Sequence, residues 1–265
     1  MDPLAPLVTA LHSQGRLRVW SLVITAFGDL VQHRGGEISS TRLRALLGRV
    51  SVEQGALRTA MSRLSGDGWI IRERAGRSSL YRLSAQGLDR FAPATTRIYA
   101  PPRTAPVHRW AAVMTSTAAG AQVMRLCPAD DAAGEADCVV VGDLQHISNA
   151  YRAAQLEPTH RNALTALAAD LAALGKGVTD PLDAAAARLL LIHRWRRIVL
   201  RFPECVPELL PDDAPLKNPR VAVAQAYAAL TPAVEGWLES DTGGLAPLPK
   251  ASQSAAKRFG AALGA

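Results

Sequence analysis

SVEQGALRTAMSRLSGDGWI, residues 51–70, carries two opposed stripes at the spacing of an α-helix. Ala56, Leu57, Ala60, Met61 and Leu64 fall on one side, and Gln54, Gly55, Arg58, Thr59 and Ser62 on the other. This predicts a helix over 52–65. Ser51-Val52-Glu53-Gln54 fits a capping box, in which serine and glutamine each satisfy an orphan backbone donor. Gly66 and Gly68 end the helix.

Upstream, Leu17, Trp20, Val23, Ile24 and Phe27 recur at helical spacing, so residues 16–30 read as an amphipathic helix. A Gly35-Gly36 turn leads to an extended stretch at Glu37–Ser39. A second helix follows over Thr41–Leu47, with Ser40 or Thr41 as its cap and Gly48 as its stop. Downstream, Trp69–Arg74 and Ser79–Leu83 alternate around Gly76 as a β-hairpin. Ser84 caps a further helix over 84–97, and Pro101, Pro102 and Pro106 mark a linker. Helix, strand, helix, helix and hairpin is the order of a winged helix-turn-helix. In that arrangement the second helix of the pair enters the DNA major groove.

Charge points the same way. Residues 1–103 hold 15 arginines, no lysine and seven acids, a net charge of +8. Residues 104–265 hold 15 basic and 16 acidic groups, a net charge of −1. A polyanion-binding unit joined to a neutral one produces such asymmetry. Arginine's planar fork suits phosphates and guanine edges better than an ammonium does. On the helix, Arg58 can grip guanine, Gln54 can grip adenine, and Gly55 lets the backbone approach closely. In the hairpin, Arg72, Arg74, Arg77 and Ser78 are placed to track phosphates or a narrow minor groove, with Arg82 and Ser79 beside them. Arg63 and Arg42 are expected on phosphate rather than bases.

Beyond the linker, His108–Met114 and Cys138–Gly142 read as strands of a small α/β unit, with a weak signal over Thr115–Ala136. Helical patterns follow at roughly 148–175, 181–202 and 219–239, and the last 25 or so residues, rich in Gly, Ala and Pro, read as frayed. No apolar run approaches the roughly 20 residues of a membrane helix, and no secretory signal is visible. Cys127, Cys138 and Cys205 lie far apart with no C-x-x-C, which fits a reducing cytoplasm rather than a zinc site or disulfide framework.

FGDLVQHRGGEI (27–38), LRTAMSRLSGDGWI (57–70), GRSSLYRLSAQG (76–87) and RIYAP (97–101) resemble the PaaX family of repressors of phenylacetate catabolism. LLIHRWRRIVLRFPECVPELLPDDAP (190–215) resembles that family's C-terminal signature. The resemblance implies an α+β, mostly helical fold in three parts. These are a winged-helix domain at 1–103, a small ferredoxin-like middle domain at 104–145 and a helical domain at 146–265. It also implies a homodimer on double-stranded operator DNA, released by an aryl-coenzyme A thioester such as phenylacetyl-coenzyme A, with no cofactor. The middle departs from the family: the helix expected after its first strand is shortened or degenerate in Thr115–Leu126.

Within 190–215, His193 with Arg194, Arg197 and Arg201 forms a basic patch that can hold coenzyme A phosphates, while Trp195 reads as core. No Walker loop, G-x-S-x-G, H-E-x-x-H or paired Cys/His set is present, so no enzyme is indicated. The enzymatic alternative is a metal-dependent nuclease using Asp130, Asp131, Asp137 or Asp143. It lacks a carboxylate at Val113–Ser116, where related nuclease folds carry one. A third alternative is a winged helix that docks onto another protein.

Overall fold

Ser39 starts the first helix of the pair, one residue earlier than expected. Its hydroxyl accepts a hydrogen bond from the Arg42 amide at 3.1 Å, so the helix runs Ser40–Arg49 rather than Thr41–Leu47. Ser51 does not cap the helix that follows. It takes a left-handed φ of 61° and closes the helix before it: its amide bonds to the Gly48 carbonyl, and the Val52 amide to Leu47. That is a Schellman stop with Val52 buried behind it. With Ser51 so used, the capping box does not form, and the next helix begins at Gln54 behind an extended Glu53 with no side-chain cap. Gly68, at φ 71°, ends that helix in the same way, the Trp69 amide reaching back to Leu64.

A computed structural model describes every residue except Met1, Gln14, Arg16, Gly76, Arg77, Ala133, Glu135, 242–244 and 261–265. Arg77 and the side chain of Ser78 therefore lie outside the described residues. The elements are α1 (Ala5–Ser13), α2 (Val19–Ala26) continuing into a π-helical turn (Phe27–Val31), β1 (Glu37–Ser39), α3 (Ser40–Arg49), α4 (Gln54–Gly66), β2 (Ile70–Ala75), β3 (Ser78–Leu83) and α5 (Ala85–Ile98). Then come β4 (Trp110–Ser116), β5 (Gln122–Pro128), β6 (Cys138–Gly142), α6 (Asn149–Ala154), α7 (Pro158–Leu174), α8 (Pro181–Val199), α9 (Pro219–Glu239) and α10 (Gln253–Ala256). The fold is mixed α+β, about half helical, with two small antiparallel sheets ordered β1-β3-β2 and β5-β4-β6. No helix among the described residues is long and apolar enough to cross a membrane. α1 was not anticipated; Leu4, Leu7 and Leu11 bury it.

The middle unit differs from the ferredoxin-like expectation. A turn at 117–121, closed by the Thr117 amide on the Ala121 carbonyl, connects β4 directly to β5 in place of a crossover helix. Its own core is small: Ala111, Val113 and Cys127, with Ala132 and Ala136 against them. The first and last thirds of the chain instead share one continuous core. Its centre is α8, buried all round from Ala184 to His193.

Charged groups bridge that core. Asp29, in the π-helical turn, accepts from Arg188 Nε (2.9 Å), Tyr99 Oη (2.8 Å) and Arg258 Nη1 (3.1 Å). Burial alone would raise its pKa; the two guanidiniums and the phenol overcome that and hold the carboxyl below its usual range. Arg42, expected on phosphate, is fully buried and donates to the carbonyls of Trp237, Ser240, Leu245 and Ala246. Arg34 pairs with Glu235 and Glu239. The chain after α9 is thus pinned across the α2–α3 region.

His193 on α8 and His33 are buried, each with a pKa lowered to about 3. Burial is the main cause, and neighbouring arginines add to it. The unfolded chain therefore binds more protons than the folded one between pH 3 and the ordinary histidine value of about 6.5. Stability should fall as the pH drops through that window, by about 2 kcal/mol per histidine at pH 5. Urea midpoints at pH 7 and pH 5 test this, with a smaller drop expected for His193→Gln.

Candidate nucleic-acid interface

α4 buries Leu57, Ala60, Met61 and Leu64 and exposes Gln54, Gly55, Arg58, Thr59, Ser62 and Arg63. Ala56 lies on the exposed side, not with the apolar stripe. Beside α4 runs a groove of about 800 Å³, walled by α3 and by the β2–β3 hairpin. Gln54, Arg58, Ser62 and Arg72 all line it. Arg44 lines it too and was missed in the sequence, although Leu43, Leu46 and Leu47 bury the other side of α3 and so set Arg44 outward.

The polar groups differ in how free they are. Arg58 and Arg74 are exposed and have no partner among the described residues. Thr59 turns its hydroxyl back to the Gly55 carbonyl at 3.0 Å. Arg63 faces Asp67 at 3.5 Å, both exposed. Arg72 Nε donates to Ser79 Oγ at 2.9 Å, and Arg82 pairs with Glu73 at 2.9 Å across the strands. Those two bonds stiffen the hairpin.

Gly55 has open space where a Cβ would sit, and its backbone is helical. Gly55→Ala should therefore stabilise the free chain by up to about 1 kcal/mol. If nucleic-acid backbone or bases press close to this turn, the same methyl should weaken binding. Thermal melts and binding isotherms of the one variant should move in opposite directions.

The proposed phosphate patch on α8 is not assembled. His193 is buried, its Nδ1 3.1 Å from Thr25 Oγ1. Thr25 Oγ1 also lies 2.8 Å from the Ser21 carbonyl and accepts from Arg196 Nη1 at 2.9 Å. Arg194 is engaged by buried Asp170, and Arg194 and Arg197 border a narrow crevice beside α1. Arg201 lies past the end of α8, its guanidinium 5.1 Å over the Phe202 ring. Helical spacing put the four on neighbouring positions, but α1 and α7 pack over His193 and Arg194, while Arg197 is exposed. Trp195 is core, as expected. The nuclease candidates are dispersed: Asp130 and Asp131 face Arg103, and Asp137 accepts from the Ser116 amide. No metal-holding group occurs among the described residues.

Fold and surface together define a mixed α+β protein with an arginine-rich helix-and-hairpin face. A family model described as PaaX-like protein matches residues 18–87, and one described as PaaX-like protein C-terminal domain matches residues 143–240. The transcriptional repressor PaaX of Escherichia coli (strain K12) is 30% identical over 91% of this chain and 89% of its own. The chain belongs to the PaaX family. It is also similar to the solved structure of the uncharacterized protein Rv0674 from Mycobacterium tuberculosis, at 21% identity and a TM-score of 0.45, over 80% of this chain and 95% of that one.

Proposed function

We propose that this chain is a transcriptional repressor of a phenylacetate-type catabolic operon, binding duplex operator DNA through a winged helix-turn-helix at residues 1–103. α4 is the recognition helix and β2–β3 the wing. One observation carries the reading: Arg58 stands unpartnered on an exposed polar helix face, in a groove whose far wall is an arginine-bearing hairpin. The repressor role of the Escherichia coli relative supports it. Base reading falls to Gln54, Gly55, Arg58 and Ser62, and backbone contact to Arg44, Arg63, Arg72 and Arg74.

One recognition helix per chain reads too few bases for genomic specificity, so the binding unit is a homodimer. β6 supports this. Among the described residues it pairs only with β4, and its Val139, Val140 and Val141 are 43–57% exposed. A second copy can cover such an edge. An aryl-coenzyme A thioester is the proposed releasing ligand. Selecting duplexes from a random pool and footprinting the winners tests the reading. Two-fold-related half-sites are expected; recovery of no preferred sequence would contradict it. Val140→Glu should yield monomer in gel filtration and lose the second half-site footprint.

A further inference from the structure

Between the β5-β4-β6 sheet and the helical body lies a second cleft of about 840 Å³, within the size range of small-molecule sites. Its wall is apolar: Leu164, Trp195, Ile198, Phe202 and Leu210 are all buried residues that border it. His160 stacks flat on Phe202, with ring centroids 4.4 Å apart. Its rim is cationic. Arg125 on β5 and Arg201 have no carboxylate partner among the described residues, whereas Arg103 is paired with Asp131 and Arg220 with Glu204. Glu157 is the remaining acid on the rim. An apolar floor under unpaired guanidiniums suits a ligand with a flat apolar end and a phosphate-bearing tail.

The floor of this cleft is bonded to α5. Trp195 Nε1 donates to the Ile98 carbonyl at 2.9 Å. Arg220 Nη1 donates to the carbonyls of Arg97 (3.0 Å) and Ala100 (3.3 Å). Arg97 Nη2 returns a bond to the Val199 carbonyl at 2.7 Å. The opposite end of α5 is fixed to the end of α4: Ser84 Oγ donates to the Gly68 carbonyl at 2.5 Å, and the Ser84 amide to Trp69 at 2.9 Å. Gly87 sits so close to the Trp69 carbonyl that a Cβ there would lie 2.2 Å from it. A 14-residue helix, about 21 Å long, therefore joins the cleft to the base of the recognition helix.

We infer that this cleft, rather than the arginines of α8, is the effector site, that it takes an acyl- or aryl-coenzyme A thioester with its phosphates on Arg125 and Arg201, and that α5 carries its occupancy to α4. The inference rests on the repressor reading for the consequence of binding, not for the site itself. A thioester acts only by preferring one of two α5 positions.

Calorimetry on the full chain, with phenylacetyl-coenzyme A, coenzyme A and phenylacetate as probes, tests it. The thioester should bind at least tenfold more tightly than either fragment, and an Arg125→Glu/Arg201→Glu variant should lose at least tenfold. Alkylation of Cys205, which borders the cleft, should slow on thioester binding, while that of exposed Cys138 should not; this needs no substitution. Arg97→Ala, which removes the bond to the Val199 carbonyl and does not line the cleft, should keep thioester affinity within a fewfold and shrink its effect on operator affinity. Equal thioester affinity in parent and double-Glu variant, unprotected Cys205, or no binding by the parent would overturn the site. If the parent binds thioester through these arginines yet prefers no duplex, the site stands and the repressor reading falls.

Discussion

Asp29→Ala is expected to destabilise the chain by about 3–5 kcal/mol, the range for removing one partner of a buried ion pair. The loss comes less from the vanished attraction than from what stays behind. Arg188 is 1% exposed and Arg258 8%, as side chains, and both would keep a buried charge with no carboxylate between them. Arg258 would still donate to the Asp29 and Gly28 carbonyls at 2.7 Å, and Arg188 would retain a distant Glu235 at 3.9 Å, a long bond to Thr231 Oγ1 at 3.5 Å and the Tyr227 ring. Urea denaturation followed by circular dichroism measures the effect. A loss below about 1 kcal/mol would mean that the cluster does not tie the α2 turn to α8. Because Asp29 lies far from the α4 face in sequence and is fully buried, residual folded variant should still select the same duplex sequences.

Arg58→Ala is expected to have the largest effect on recognition. An unpaired exposed arginine has no internal bond to lose, so its removal should leave the melting curve unchanged. Losing a bidentate contact to guanine should cost about 1–3 kcal/mol at one base pair and relax preference there. Arg74→Ala, by contrast, should weaken all duplexes evenly and flatten the salt dependence by about one phosphate's worth. Competition assays with single-base operator variants separate the two patterns. Equal losses across all sequences for Arg58→Ala would move base reading elsewhere on the groove, toward Gln54 or Arg44.

The elements were largely legible because their causes are local. α4 follows from apolar spacing, α5 from its Ser84 cap, and β2–β3 from alternation about Gly76. The exposed face of α4 follows from the same periodicity. What could not be read depends on partners far along the chain. Arg42 and Arg58 look alike as exposed arginines of short amphipathic helices. Arg42 is turned inward only because the segment after α9 offers it carbonyls about 200 residues away. His193 and Arg194 look like a phosphate patch until α1 and α7 lie over them. Ser51 fits a capping box by type, yet the chain needs its left-handed turn to end α3. The cleft behind β5 draws Arg125 and Arg201 together across more than seventy residues, so no spacing rule marks it. Arg201 is the one residue of the sequence-derived patch that borders it.

We propose that the helix-and-hairpin face reads a duplex sequence. The most direct measurement is the affinity of the full chain for a selected duplex, a scrambled duplex and a single strand of equal length, each across a range of salt. Preference for the selected duplex by about a thousandfold or more is expected at physiological salt. Affinity should also fall steeply with salt, with a log–log slope of about −0.9 per phosphate engaged. Equal affinity for the three nucleic acids, or binding indifferent to salt, would contradict the account.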